Sequence, residues 1–243
     1  MFPILGRYGS FFLYSFTVVM AAGILLGLGL AARWRRDETD EGWLDTAVFV
    51  MLIAWLGARA GFVAGNWAYY AERPAEIWQF WQGGLSYHGA LLAGLAALWG
   101  WSAWRKRPFA RDAARLAPAL ILVAAFGWLA CYLEGCAYGA ETSLGPLAAD
   151  LPDSYGVFAL RYQTQLIGFV LTLLILPLIL WLGRRRPDTA VFWFTLLLLS
   201  LIHLLVGAMR ADTGRLSSLL DAGLVILAFI LYKNVPSMLR MPK

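Results

Sequence analysis

The chain has 243 residues, of which 60% are hydrophobic and only 14% are charged, and its net charge is +5. A soluble domain carries about 25% charged residues, which keep its surface in water. The composition therefore excludes a water-soluble globule and indicates an integral membrane protein. Short alternating segments of the kind that form a membrane β-barrel are not evident, so the predicted fold class is all-α.

Seven apolar stretches follow one another along the chain, and each is long enough for a membrane-spanning helix. Such a helix needs about 20 apolar residues to cross roughly 30 Å of hydrocarbon. Arg59 interrupts the second stretch and Asp221 the last. No long polar linker separates the stretches, so residues 1–243 are predicted to form a single polytopic membrane domain. The predicted helices cover about residues 10–32, 45–66, 85–104, 116–134, 162–183, 189–209 and 216–232.

The basic residues are distributed unevenly between the two sides of this helix arrangement. Fourteen of the 20 lie in alternate connections and in the C-terminal tail. Positive residues near helix ends stay in the cytoplasm, so the N-terminus is predicted outside and the C-terminus inside. The net charge is then explained by topology and by contact with anionic lipid, and no nucleic acid partner is expected.

Two outer connections have a distinctive composition. Residues 67–82 predict a short interfacial helix that begins near Pro74 and ends at Gly83 and Gly84, because Pro favours helix starts and Gly favours helix ends. Residues 139–160, rich in Gly, Pro and Asp, predict a second outer loop. Aromatic side chains of the first connection are expected at headgroup depth; they are Tyr69, Tyr70, Trp78 and Trp81.

The chain has two cysteines, Cys131 and Cys136, near the outer end of the fourth predicted helix. Positions five apart on a continuous helix point in different directions, so a disulfide would require the helix to break first. Two thiols are also too few for a structural zinc site. We therefore expect two free, buried cysteines.

Several ionisable residues lie within or at the ends of the predicted helices. Each costs roughly 2.5–3.5 kcal/mol to insert, so such residues usually face a cavity or a partner. A group of cations near the outer side suits a lipid phosphate, because guanidinium binds phosphate through two hydrogen bonds. The residues are Arg59, His88, Glu134, Arg161, His203, Arg210 and Asp221.

Simpler roles stay open for most of this group. Arg161 and Arg210 could extend to the membrane interface, Glu134 could pair with Arg59, and His203 could be a neutral core histidine. His88 differs because glycines surround it in W-Q-G-G-L-S-Y-H-G, residues 81–89. Gly-rich backbone turns tightly, which indicates that the imidazole is aimed into a site.

Four motifs occur in order: G-A-R-A-G-F-V (57–63), W-Q-G-G-L-S-Y-H-G (81–89), G-W-L-A-C-Y-L-E-G-C-A-Y-G (127–139) and R-Y-Q-T-Q-L (161–166). Together they resemble the prolipoprotein diacylglyceryl transferase family over nearly the whole chain. The resemblance implies seven membrane helices with an outer N-terminus, in the cytoplasmic (inner) membrane of a bacterium. It implies transfer of a diacylglyceryl group from phosphatidylglycerol to a cysteine thiol in the signal peptide region of a lipoprotein precursor.

The resemblance also implies roles for individual residues. His88 matches the essential histidine and is expected to act as base, with Tyr14 and Glu134 as further catalytic residues. We expect neither a cofactor nor a metal ion to take part. The substrate-binding residues are expected to be Arg59, Gly83, Gly84, Ser86, Gly139, Arg161, Gln165, His203 and Arg210.

Some positions depart from the family pattern. Trp128 and His203 stand where the family has two arginines, Cys131 and Cys136 replace an asparagine and a glutamate, and Gly168 replaces another glutamate. An alternative is therefore a catalytically altered or inactive relative that binds phospholipid or assists another membrane protein. A transporter is less favoured, because broken helices do not recur in two matching halves.

Overall fold

The structure is a computed structural model that describes residues 3–9, 11–34, 42–80, 83–153 and 155–238. Arg35, Arg36, Trp81, Arg240 and Lys243, which contributed to the sequence predictions, lie outside these ranges. Two short 3-10 helices span Pro74–Trp78 and Gly145–Leu147. The remaining elements are β1 (Ile4–Tyr8), β2 (Phe11–Tyr14), α1 (Ser15–Trp34), α2 (Trp43–Gly65), α3 (Trp67–Glu72), α4 (Tyr87–Trp104), α5 (Phe109–Glu134), β3 (Ala148–Pro152), β4 (Phe158–Tyr162), α6 (Thr164–Leu182), α7 (Asp188–Gly207) and α8 (Arg215–Met238).

Six helices of the described chain are long and apolar enough to cross a membrane: α1, α2, α5, α6, α7 and α8. This confirms an integral membrane protein built mainly from helices. Helix α4 coincides with the third predicted span, but it has only 18 residues and contains Tyr87, His88, three Trp and three Gly. These residues lower its mean hydropathy, so the seventh span stays a prediction.

Two short antiparallel sheets depart from the predicted all-α fold. Strands β1 and β2 pair at the N-terminus, where Tyr8 lies opposite Phe11 and the turn begins at Gly9 with φ +64°. The first helix therefore starts at Ser15 and not near residue 10. An apolar run as short as Phe11–Tyr14 has no periodicity that separates strand from helix, which is why the sequence did not reveal it.

The second sheet lies in the predicted outer loop 139–160, where β3 and β4 pair in register from Ala148–Tyr162 to Pro152–Phe158. Arg161 and Tyr162 are consequently strand residues, and the helix predicted from residue 162 begins at Thr164. The predicted interfacial helix 67–82 is instead two short pieces, α3 and the 3-10 helix that begins at Pro74 as expected.

Helix α5 begins at Phe109, seven residues earlier than the predicted start at residue 116. Its first turn is anchored by Asp112, which is 2% exposed. Asp112 Oδ2 accepts a hydrogen bond from Ser102 Oγ at 3.1 Å, and Oδ1 accepts one from Arg107 Nη2 at 2.8 Å. A paired carboxylate thus extends the helix beyond its apolar stretch.

The chain divides into two compact units, and the first comprises Met1–Arg35 with Ala114–Lys243. Its core forms where α5, α6 and α7 bury aliphatic side chains, among them Ile121, Ile179 and Val191, none of which is exposed. Helix α1 packs on α5 through glycines: a Cβ added at Gly27 would lie 3.1 Å from Ala119 Cα.

The second unit comprises Arg36–Ala113 and is organised by the contact between α2 and α4. Gly57 and Gly61, one helical turn apart on α2, face Gly89 on α4. A Cβ at Gly57 would lie 2.7 Å from Gly89 O, and one at Gly61 would lie 2.9 Å from Gly89 Cα. Small residues four positions apart allow two membrane helices to approach through their backbones. This contact fixes the start of α4, where His88 lies.

Candidate functional site

The turn that precedes His88 depends on two glycines in the left-handed region, Gly83 at φ +78° and Gly84 at φ +74°. Ser86 then caps α4: its Oγ accepts a hydrogen bond from Gly89 N at 3.2 Å, and its own N–H donates to Ala58 O at 2.9 Å. His88 is therefore the second residue of a capped helix. Its side chain is buried with 8% exposed, and its ring lies 5.3 Å from that of Tyr87.

Arg59 fastens the same turn to α2. Its Nε donates to Ile77 O at 2.8 Å and its Nη2 to Glu76 O at 2.6 Å. Its Nη1 donates to Gly83 O at 2.7 Å and Gly84 O at 3.3 Å. A guanidinium buried to 3% exposure is thus satisfied by four backbone carbonyls. Phosphate binding by Arg59 would compete with these bonds, and it stays a prediction.

In the first unit, Cys131 and Cys136 form a disulfide, which corrects the expectation of free thiols. Helix α5 ends at Glu134, and Gly135 adopts φ +91°, so Cys136 lies beyond the helix and turns back toward Cys131. Two buried side chains of α6 hold the segment that follows. Gln165 Nε2 donates to Cys136 O at 2.9 Å, and Thr164 Oγ1 donates to Ala137 O at 2.7 Å.

Residues 138–141 form an irregular extended segment between two arginines. Gly139 pairs with Arg210 on one side, and Glu141 pairs with Arg161 on the other. Gly139 is required here because a Cβ would clash with Tyr162 O. The backbone therefore brings Arg161, of the β3–β4 hairpin, and Arg210, which follows α7, to opposite sides of one segment.

Arg161 is buried, with 6% exposed. Its Nη2 lies 3.2 Å from Asp153 Oδ2 and 3.7 Å from Glu141 Oε1, and its guanidinium lies 5.4 Å from the centre of the Tyr138 ring. Its Nε is buried without a hydrogen-bond partner among the described residues. Arg161 thus keeps one donor in addition to its ion pairs.

Asp153 is organised by the backbone as well as by Arg161. Its Oδ1 accepts hydrogen bonds from Val157 N at 3.0 Å and Tyr155 N at 2.8 Å. The bond from Val157 is the main cause that holds the pKa of Asp153 below its ordinary value, and the bond from Tyr155 and the charge of Arg161 add to it. Asp153 is therefore a negatively charged partner of Arg161 at neutral pH.

Trp128 forms an aromatic wall near these groups, with 8% exposed. Its ring lies 5.5 Å from that of His203, and the guanidinium of Arg210 lies 5.9 Å from its centre. Arg210 Nε also donates to Asp212 Oδ1 at 2.8 Å. A Cβ at Gly168 would lie 2.5 Å from the indole. Trp128 thus fills space that only glycine at position 168 leaves open.

His203 is paired with a carboxylate that the sequence reasoning did not assign to the site. Its Nδ1 lies 2.9 and 3.0 Å from the two oxygens of Asp221, which is 1% exposed. Asp153 was likewise not assigned. The available signal for Asp221 was an acidic residue inside an apolar stretch, whereas Asp153 had no comparable signal because it lies in a polar loop.

The remaining expected catalytic residues lie at helix ends of the first unit. Tyr14 ends β2 with 42% exposed, directly before α1. Glu134 is the exposed last residue of α5. The first unit therefore brings Gly139, Arg161, Gln165, His203 and Arg210 around residues 136–141 and Trp128. The second unit independently places Gly83, Gly84, Ser86 and His88 in one turn and helix start, to which Arg59 of α2 donates hydrogen bonds.

Comparison with known proteins identifies the family. Residues 3–234 match the family model described as prolipoprotein diacylglyceryl transferase. A similar protein from Synechococcus elongatus is 31% identical over 244 residues, covering 95% of this chain and 84% of the relative. One from Nitratidesulfovibrio vulgaris is 35% identical over 191 residues, covering 76% and 68%.

A third relative, from Geobacillus kaustophilus, is 30% identical over 236 residues, covering 90% of this chain and 84% of its own length. All three relatives are named phosphatidylglycerol–prolipoprotein diacylglyceryl transferase. The match extends through both compact units and includes the His88 turn, the disulfide segment and the helices that carry His203 and Asp221. The chain therefore belongs to the prolipoprotein diacylglyceryl transferase family.

Proposed function

We propose that this protein transfers the diacylglyceryl group of phosphatidylglycerol to a cysteine thiol of a lipoprotein precursor. The observation that carries the proposal is the family match over residues 3–234, together with relatives of that name at 30–35% identity. His88, buried at the start of the capped helix α4, and the ion-paired Arg161 and Arg210 are the kinds of group that such a reaction requires.

The reaction joins the sulfur to the glyceryl carbon that carries the phosphate ester. A C–S bond forms, the C–O bond breaks, and its electron pair leaves with glycerol phosphate. The thiol must lose its proton to become a good nucleophile, and His88 is the proposed base, because imidazole exchanges protons near neutral pH. Cations stabilise the charge that develops on the leaving phosphate. Arg161 and Arg210 are the proposed cations.

Other residues have supporting roles in the proposal. The bonds from Arg59 to Gly83 O and Gly84 O, and the cap by Ser86, support a role in fixing His88. Gln165 and Gly139 support residues 136–141 through their contacts with Cys136 and Tyr162. Tyr14 and Glu134 are proposed as further catalytic residues at the outer ends of their elements.

We further propose seven membrane spans, with the N-terminus outside and the C-terminus in the cytoplasm, in a bacterial inner membrane. Helix α4 would be the additional span, since its 18 residues measure about 27 Å at 1.5 Å per residue, close to the hydrocarbon thickness. The short α3 and Pro74–Trp78 helices would lie at the outer interface, where Tyr69 and Trp78 are exposed.

Reconstitution tests the proposed reaction. Purified protein is mixed with phosphatidylglycerol vesicles and a peptide that carries a lipoprotein cysteine, and the diacylglyceryl thioether is sought by mass spectrometry. We expect product with wild type, and none with His88→Ala or with a peptide whose cysteine is replaced by serine. No product from wild type, beside an active relative as positive control, would refute transfer and favour a relative that only binds phospholipid.

A further inference from the structure

A carboxylate and an imidazole are paired inside two helices that are apolar enough to span a membrane. His203 lies one turn before the end of α7, and Asp221 lies in the second turn of α8. His203 Nδ1 is within 3.0 Å of both Asp221 oxygens, and the two residues are 8% and 1% exposed. Two ionisable side chains in an apolar environment are costly, and such residues usually serve a function.

The pairing determines where the ring proton lies. An ionised carboxylate can only accept hydrogen bonds, so Nδ1 of His203 must carry a proton and donate it to Asp221. Nε2 is the other ring nitrogen. In the imidazolium form it is a second N–H donor, and the carboxylate compensates the positive charge. Asp221 thus fixes both the tautomer and the plane of the ring.

Trp128 lies close both to this pair and to the guanidinium of Arg210. The ring of His203 and the guanidinium of Arg210 lie 5.5 and 5.9 Å from the centre of the same indole. Arg210 is in turn held by Asp212 and by the backbone bridge to Gly139. Each of the two groups therefore has its own carboxylate, and both lie near the same indole ring. Such fixed, charge-compensated donors suit an anion that must be bound and released.

We propose that Asp221 is a positioning residue that holds His203 as an imidazolium, and that this imidazolium binds a phosphate oxygen of the lipid substrate beside Arg210. The inference rests on the proposed function, since a phosphate ester is the group that this reaction breaks. It adds Asp221 to the site as the residue that orients the His203 ring. A purely structural pair would instead stabilise the fold without any preference for a lipid phosphate.

The test compares wild type with His203→Gln, Asp221→Asn and the double variant. Asp150→Asn, an exposed residue of β3, is the matched control. Native mass spectrometry of the purified protein measures retention of phosphatidylglycerol against diacylglycerol with the same acyl chains. The ratio of the two lipids reports recognition of the phosphate group in folded protein.

Each single variant is expected to lower this ratio about tenfold, as for loss of a charged hydrogen bond. The double variant is expected to lower it no further, because Asp221 acts through His203. Asp150→Asn should leave it unchanged. An unchanged ratio in His203→Gln, an equal loss of both lipids, or additive losses of about a hundredfold in the double variant would overturn the inference. If Asp221→Asn does not fold, Asp221→Ser replaces it, and a lipid ratio equal to that of wild type in this variant would overturn the inference.

The same proteins are assayed for transfer, which separates this inference from the proposed function. In one outcome, wild type retains phosphatidylglycerol selectively and the variants lose this selectivity, while wild type does not catalyse transfer. That result would refute the transferase reaction and leave the Asp221–His203 role intact. Transfer by wild type, with a lipid ratio that the variants do not change, would refute the inference and leave the reaction intact.

Discussion

The indole of Trp128 occupies the space in front of Gly168, so that a Cβ added at position 168 would lie 2.5 Å from Cδ2 and 2.6 Å from Cε2. The two residues belong to α5 and α6. A large aromatic ring on one helix thus packs directly against the smallest residue on the other.

Gly168→Ala is predicted to destabilise the protein by about 1 kcal/mol or more, because the rigid indole must shift and overpacking costs typically 1–3 kcal/mol. This loss exceeds the gain of roughly 0.5–1 kcal/mol from helix propensity. Gly100→Ala in α4 is the control, since nothing lies within 4 Å of its Cβ position. Thermal unfolding in detergent measures both. Equal stability of the two variants would contradict the contact.

The close contact also predicts coupling between Trp128→Arg and Gly168→Glu. Gly168→Glu places a charge against the indole, and Trp128→Arg places one beside His203 and Arg210. Each single variant is therefore expected to lose about 3 kcal/mol or more of stability. In the double variant the two charges can pair, so the loss should be smaller than the sum of the single losses by about 2 kcal/mol. A double-mutant cycle of unfolding free energies tests this. Additive losses would show that the positions do not interact.

Arg59→Lys is predicted to destabilise the turn before His88. A lysine ammonium has no planar fork and cannot reproduce four bonds to separate carbonyls. Since hydrogen bonds to charged groups are worth about 1.5–3 kcal/mol each, we expect a loss of at least about 2 kcal/mol. Unfolding measurements should show Arg73→Lys, which is more exposed, to be nearly neutral. If Arg59→Lys leaves the stability unchanged, other groups must donate the hydrogen bonds that these carbonyls accept.

Reduction of the Cys131–Cys136 disulfide is predicted to lower stability by roughly 2 kcal/mol, as the chain-entropy relation gives for so short a loop. Thermal unfolding with and without dithiothreitol measures the effect, and alkylation followed by mass spectrometry checks that both thiols are released. The Cys131→Ser/Cys136→Ser variant should be less stable than oxidised wild type and insensitive to the reductant. An equal response of both proteins would exclude the disulfide as the cause.

The hairpin of β3 and β4 is predicted to weaken in acid because of Asp153. Its folded-state pKa is depressed chiefly by the bond from Val157 N, so its contribution is present above the unfolded pKa and is lost as pH falls through the folded one. The loss therefore occurs below about pH 4. Asp153→Asn should remove this part of the acid dependence, while Asp150→Asn should retain it. Unfolding midpoints between pH 3 and 7 would measure the difference.

The extent of the sequence predictions follows the range of the interactions concerned. Hydrophobic runs predicted the helices to within a few residues at most ends, because insertion depends on a sum over neighbouring residues. A turn at Gly83 and Gly84 was predicted for a similar reason, since it depends on local backbone freedom. The start of α5 was wrong because Asp112 pairs with Ser102 and Arg107, which precede the apolar stretch.

The disulfide shows the limit most clearly. The requirement that the helix break between Cys131 and Cys136 was deduced from spacing, but the break itself depends on Gly135 and on Gln165 and Thr164, which hold the following carbonyls. These two residues lie almost 30 positions further along the chain. The five-residue spacing on a continuous helix therefore favoured free thiols, and contacts from another helix decided otherwise.

By itself, the sequence determined that this is a membrane protein, where its apolar helices lie and which family it resembles, because hydropathy and motifs are local properties of the chain. Only the tertiary structure decided which partner each polar group has. Arg59 is bound by four backbone carbonyls, Arg161 by Asp153, and His203 by Asp221. An apolar environment requires each such group to find a partner, and the partner is chosen by which helices and loops meet in space.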